Sequence, residues 1–270
     1  MRDAPRAALR GPSRHAPARP PLRPRQTRVT FNAMRTNALP GFNPSVHGFR
    51  FSNRWPKGPA FELGIPYLRV GIGEVSAGLC GGMCFAVADR YLANEPAPRD
   101  PVAPAAGTPL FREIVRRQLV SFDRWGLVPA RFWLTLLRLA IGRWTGSAQI
   151  AEWRRICADI DAGRPAMVGL VRSGRINPFG LTTNHQVLAY AYEASVLSGT
   201  LHIYDPNHPG LDDVEIRIRR GDGSDVTDRA GETAAASRPS QPDKNHVFTL
   251  EQSTGEPLLA LLRLPYRRPG

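Results

Sequence analysis

The residues Gly163-Arg164-Pro165 divide this chain into two kinds of sequence. On the N-terminal side, apolar residues recur at helical spacing. On the C-terminal side, they fall into short β-rich or alternating runs separated by turn residues. The first pattern predicts helices over residues 80–92, 110–122, 130–139 and 147–161. In the first of them Met83, Val87 and Tyr91, or Phe85, Ala88 and Leu92, mark the buried faces, and the helix stops before Pro96. The second pattern predicts strands over 166–172, 185–192, 201–204 and 214–219 and a last one within 258–264, forming a largely antiparallel sheet. Phe49 and Phe51 alternate with polar residues and suggest a short strand within 46–55, whereas 56–78 reads as loop and turn and 94–109 as a proline-dense loop. Helices first and a sheet second predicts an α+β fold, with a helical part over about 80–162 and a sheet part over about 163–265. No internal repeat is visible.

Charge and composition exclude several classes of function. The formal charge is +13, but nine arginines and the single acid Asp3 lie between Met1 and Arg35, so a net +8 sits there and +5 is left for the rest. Residues 1–40 are rich in Arg, Pro and Ala and poor in large apolar side chains, which predicts a disordered tail ahead of one domain over 41–270. A true start at Met34 would explain the same composition. Lysine occurs only at Lys57 and Lys244, so the arginine excess reflects coding bias as readily as an anionic partner, and nucleic acid is an unfavoured ligand. Three cysteines make no disulfide framework, which favours a reducing, cytoplasmic setting. The most apolar window, 132–141, is interrupted by Arg138 and falls short of the ~20 residues of a bilayer span, and no secretory signal is visible. The polar stretch 220–245 reads as a mobile insertion.

The chemistry gathers at Leu79-Cys80-Gly81-Gly82-Met83-Cys84-Phe85-Ala86, where thiols flank a glycine pair at a helix start. A thiol in a first helical turn is favoured as thiolate by the unpaired N–H groups of that turn. Downstream, His185 opens a strand and Asp205 closes another at Tyr204-Asp205-Pro206. Thiol, imidazole and carboxylate are the parts of a nucleophilic acyl-transfer site: Cys80 attacks, His185 shuttles the proton, Asp205 orients the ring, and the Cys80 N–H supplies one oxyanion donor. Such a site requires sulfur and imidazole nitrogen within about 4 Å. An acid with a purely orienting role could be removed with the fold left intact.

Cys80-Gly81-Gly82-Met83-Cys84-Phe85-Ala86 with Tyr91, Gly163-Arg164-Pro165 before an apolar strand, His185-Gln186-Val187-Leu188-Ala189-Tyr190 and Tyr204-Asp205-Pro206 together resemble the papain-like cysteine peptidases. Within that superfamily they are most similar to the bacterial peptidases that cleave bacteriocin leaders after a double glycine. The resemblance spans about 74–219 and implies a papain-like fold, a peptide or protein substrate, and hydrolysis through an acyl-enzyme on a Cys80-His185-Asp205 triad without cofactor or metal. The leader-peptidase register makes Cys80 the nucleophile, and the papain register makes it Cys84. We favour Cys80, because it alone sits in the first turn and because Gly81 and Gly82 allow close approach of a substrate.

The chain departs from the family at one place. Where the relatives carry a glutamine that completes the oxyanion hole, six residues before the nucleophile, this chain has Glu74 before Cys80 and Gly78 before Cys84. Asn184 and Gln186 are the candidate substitutes, and a catalytically silent binding module or a transglutaminase-like acyltransferase are the alternative readings. The remaining polar and aromatic residues read as structural. His202 alternates on a strand and reads as a surface residue, His208 belongs to the turn after the acid, and Cys157 and Trp125, Trp133, Trp144 and Trp153 accompany helical patterns as core. His185, His202, His208 and Cys80 lack metal-ligand spacing, and Gly71-Ile72-Gly73 lacks the rest of a phosphate loop.

Overall fold

The structure, a computed structural model, describes residues 34–56, 78–123, 127–172, 184–220 and 248–269, together with the backbone of 59–65 and 68–74. Residues 1–33 of the expected tail over 1–40 and residues 221–245 of the expected insertion over 220–245 lie outside the described residues, as does Trp125.

Within the unit that begins at Asn32, the described residues form five helices and nine strands in the order β1 (Arg35–Ala38), α1 (Pro44–His47), β2 (Pro59–Ile65), β3 (Leu68–Glu74), α2 (Cys80–Ala93), α3 (Pro109–Ser121), α4 (Leu127–Ala140), α5 (Gly146–Asp161), β4 (Ala166–Val171), β5 (His185–Ala194), β6 (Ser198–Tyr204), β7 (Glu215–Arg220), β8 (Phe248–Gln252) and β9 (Ala260–Leu264). Helices α3 and α5 start where threonine side chains cap them. Thr108 Oγ1 accepts from Phe111 N–H and Thr145 Oγ1 from Ala148 N–H, both at 3.3 Å. Helix α2 ends on Asn94 in the left-handed conformation at φ 55°. No described helix is long and apolar enough to cross a membrane.

The main sheet is antiparallel throughout and curled, in the order β8-β7-β6-β5-β4-β9. Strand β1 pairs with β5 from Arg35↔Ala194 to Ala38↔Ala191, beyond the point where β4 stops at Ala189. Residues 35–38 therefore belong to the folded unit, not to a tail. All four are solvent-exposed, so what fixes them is backbone pairing, with Arg35 and Asn37 also donating to the Asp161 carboxylate, and hydropathy reports neither.

Helices cover both faces of the sheet. On one face α2, α3 and α4 contribute Phe85, Val87, Ile114, Val115, Phe132 and Leu136 against Met167, Leu188 and Leu262. On the other, α5 contributes Trp153, Ile156, Cys157 and Ile160 against Val168, Val187, Leu201, Ile203 and Ile216. The alternation of β4, with Met167 and Val171 on the first face and Ala166, Val168 and Leu170 on the second, follows from the two-residue strand period.

Two further expectations fail. The Phe49/Phe51 alternation forms no strand; the rings stack at 4.9 Å inside the core, in a loop after the single turn of α1. Residues 59–65 and 68–74, expected as loop and turn, form a two-stranded antiparallel ribbon apart from the main sheet.

Candidate nucleophile site

The glycine pair after Cys80 is explained by packing. A Cβ on Gly82 would lie 2.1 Å from Ile114 O, and one on Gly81 would lie 2.4 Å from Ser121 Oγ and 2.6 Å from Gln186 Oε1. Glycine is therefore required for α3 and the start of β5 to close onto the first turn of α2, and the expected role for the pair in admitting a substrate is corrected. Asp89 and Arg117 hold the same two helices together at 2.8 Å, with the guanidinium 5.0 Å from the Phe85 ring centroid.

This packing sets the chemistry of the two thiols. Cys80 is half-buried at the first position of α2 and is hydrogen-bonded to His185. Burial pushes its thiol up, but the His185 charge and bond, with N–H groups of Gln186 and Gly81 donating to the sulfur, outweigh burial and hold it below the ordinary thiol range. Cys84, one turn on, is fully buried, and its S–H donates to Gln186 O at 3.4 Å. Burial, with Cys80 and Asp205 nearby, raises that thiol far above its ordinary range. The Gln186 main chain thus presents a donor to one sulfur and an acceptor to the other. Cys157, in the core under α5, is raised to about 12 by burial and by Asp161.

His185 donates from Nε2 to Asp205 Oδ1 at 2.6 Å, so Nδ1 is the nitrogen left for the Cys80 thiol. Burial opposes a charge on this ring, but the Asp205 carboxylate and the adjacent sulfur outweigh it and push the imidazole up to about 10. Asp205 is itself buried, yet His185, a bond in which His208 takes part, and the Asn207 N–H drive its carboxyl far below the usual range. Both shifts run toward the thiolate–imidazolium form of the pair.

Asp205 does more than orient a ring. Its Oδ1 also accepts from the Asn207 N–H at 2.9 Å and its Oδ2 from Gln252 Nε2 at 2.8 Å, while His208 Nδ1 and an Arg172 guanidinium nitrogen lie 3.4 and 3.7 Å from Oδ2. Arg172 also donates to Gln252 Oε1 at 2.9 Å, and Glu256 lies 3.5 Å from both Arg172 and His208. Removing Asp205 would leave these cations and donors buried without their acceptor, so the expectation that its loss spares the fold is corrected. Arg172, Gln252 and Glu256 were missed in the sequence, since each lies 33 or more residues from Asp205 and none carries a local signal.

Other expected residues are placed as follows. Gln186 packs behind the thiol, with its Nε2 3.5 Å from Ser121 Oγ. Neither amide atom of Asn184 has a hydrogen-bond partner among the described residues. His202 is half-buried between Glu193 and Glu215, at 3.7 and 3.6 Å. Trp153 is core, whereas Trp133 and Trp144 are half-buried. Glu74 ends β3 opposite Pro59, and Gly71-Ile72-Gly73 lies within the same ribbon. The described residues contain no cluster of three or more metal-ligating groups.

No protein-family model, curated protein or solved structure matches the chain.

Proposed function

We propose that this chain is a thiol-dependent hydrolase of a peptide or amide bond, working through a Cys80-His185-Asp205 triad on a papain-like scaffold. One observation carries the reading: a half-exposed thiol in the first turn of a helix, bonded to an imidazole whose other nitrogen donates to a buried carboxylate. The Cys80 thiolate attacks the carbonyl carbon, and the carbon–oxygen π electrons move onto oxygen. His185 then gives its Nδ1 proton to the leaving amine as the carbon–nitrogen bond breaks, which leaves a thioester on Cys80. Water, deprotonated by the now neutral His185, attacks that thioester, releases the acid and regenerates the ion pair. An amine in place of water would make the same site an acyltransferase. The chemistry requires a reduced thiol, in keeping with a reducing compartment.

The test is to incubate the protein with a pool of short peptide 4-methylcoumarin-7-amides, quench in acid and map Cys80 by mass. Release of aminomethylcoumarin together with a hydroxylamine-labile acyl adduct on Cys80 is the expected result. Absence of both with a broad pool, while Cys80 still alkylates rapidly, would favour the binding-module reading to which Glu74 points.

A further inference from the structure

The proposed attack puts a negative charge on oxygen, and the first turn of α2 has one main-chain donor left to meet it. Among the described residues, Leu79 N–H donates to Asn53 Oδ1 at 2.6 Å, Gly81 N–H to the Cys80 sulfur, Gly82 N–H to Gln118 Oε1 at 2.7 Å and Met83 N–H to Leu79 O at 2.9 Å. Cys80 N–H has no such partner. One donor is a weak oxyanion site, and preorganised pairs of donors are the usual solution.

The loop at Asn53 supplies a second. Asn53 Oδ1 accepts from both Leu79 N–H and Trp55 Nε1–H, the latter at 3.0 Å. Two donors on one atom identify it as the oxygen and fix the amide, so Nδ2 faces the other way. There it donates one hydrogen to Asn207 Oδ1 at 3.3 Å, and its second hydrogen has no acceptor among the described residues. The nitrogen belongs to the same amide group that grips Leu79 N–H, one residue before the free Cys80 N–H. The loop is anchored on both sides. Phe51 and Trp55 pack edge to face at 5.9 Å, Trp55 packs on Phe111 at 5.7 Å, and Asn53 N–H donates to Pro206 O at 2.8 Å beside the triad acid. Gly78 makes room for the amide: it has φ +98°, and a Cβ there would fall 2.7 Å from Asn53 Nδ2.

We infer that Asn53 Nδ2 and Cys80 N–H together form the oxyanion site, with Asn53 taking the part for which this chain has no glutamine. The inference rests on the proposed thiol chemistry and is tested separately from it. Two rates are measured at Cys80 by peptide mass: alkylation by iodoacetamide, which builds no oxyanion, and acetylation by p-nitrophenyl acetate, which does. Their ratio on one sample cancels any change in thiolate fraction. Asn53→Ala is expected to lower the ratio of acetylation to alkylation by about 10²-fold. Asn53→Asp, which keeps an acceptor for Leu79 N–H and Trp55, is expected to do the same and covers the case in which the alanine variant does not fold. An unchanged ratio in a folded variant, whatever the individual rates do, overturns the assignment, as does a loss confined to Asn184→Ala. If wild-type Cys80 alkylates no faster than in the urea-unfolded chain, the nucleophile reading falls and the Asn53 assignment with it.

Discussion

Cys80 and Cys84 lie on one helix about 6 Å apart along its axis, and they are opposite in character. The first sits in the opening turn, facing an imidazole and the Gln186 N–H; the second sits one turn on, facing the Gln186 carbonyl. The thiol is lowered in one place and raised in the other, although burial pushes both up. Burial alone therefore decides neither case. What decides is whether the partners of the sulfur are donors and cations or acceptors and anions.

The largest expected effect separates the two turns directly. Cys80→Ala should abolish acylation and hydrolysis, a loss of about 10⁴-fold or more, while Cys84→Ala keeps both. The check is coumarin release with adduct mapping, and a dead Cys84→Ala beside an active Cys80→Ala would reverse the comparison.

Asp205→Asn comes next, acting on rate and on stability. Turnover should fall by two to four orders of magnitude, and unfolding free energy by about 3 to 5 kcal/mol, because a buried cation loses its counter-charge. The pH dependence sharpens this. The folded Asp205 carboxyl is depressed, so its contribution is complete above the unfolded value of about 4 and fades as pH falls below it. His185 is raised to about 10, so its contribution is complete below about 6.5 and fades as pH rises toward 10. The stability gap between wild type and Asp205→Asn, measured by urea denaturation, should be widest between about pH 4 and 6.5 and narrow toward pH 10. A gap that widens with rising pH would contradict the ion pair.

Packing changes around the two turns should have smaller effects. Gly82→Ala forces a Cβ against Ile114 O and should cost about 1 to 3 kcal/mol in urea denaturation. Cys84→Ala removes one buried sulfur and should cost about 1 kcal/mol with the Cys80 alkylation rate held. A slower Cys80 in this last variant would mean that the second turn contributes to the nucleophile after all.

The site was legible in the sequence to the extent that its signals are local. Helix periodicity and the cysteine at its start give α2, and Tyr204-Asp205-Pro206 marks a strand ending in an acid. The four long helices and the strands from β4 to β7, with β9, follow period and turn residues to within a few positions. Missed elements depend on distant partners. Strand β1 exists through pairing to β5 with no buried side chain, and the β2–β3 ribbon was hidden by Pro59, Pro66, Gly71 and Gly73, which read as loop. Phe49 and Phe51 have strand-like spacing but are held by ring stacking. Asn53 caps α2 from 26 residues away and Gln252 reaches Asp205 from 47, distances at which a sequence gives no register.

The most direct test of the central claim is the alkylation of native wild-type protein by iodoacetamide at pH 6.5, with each cysteine followed by peptide mass and the urea-unfolded chain as reference. The account predicts that Cys80 reacts at least about tenfold faster in the native protein than when unfolded, while Cys84 and Cys157 are protected. Equal or slower reaction of native Cys80, or faster reaction of Cys84, would contradict it.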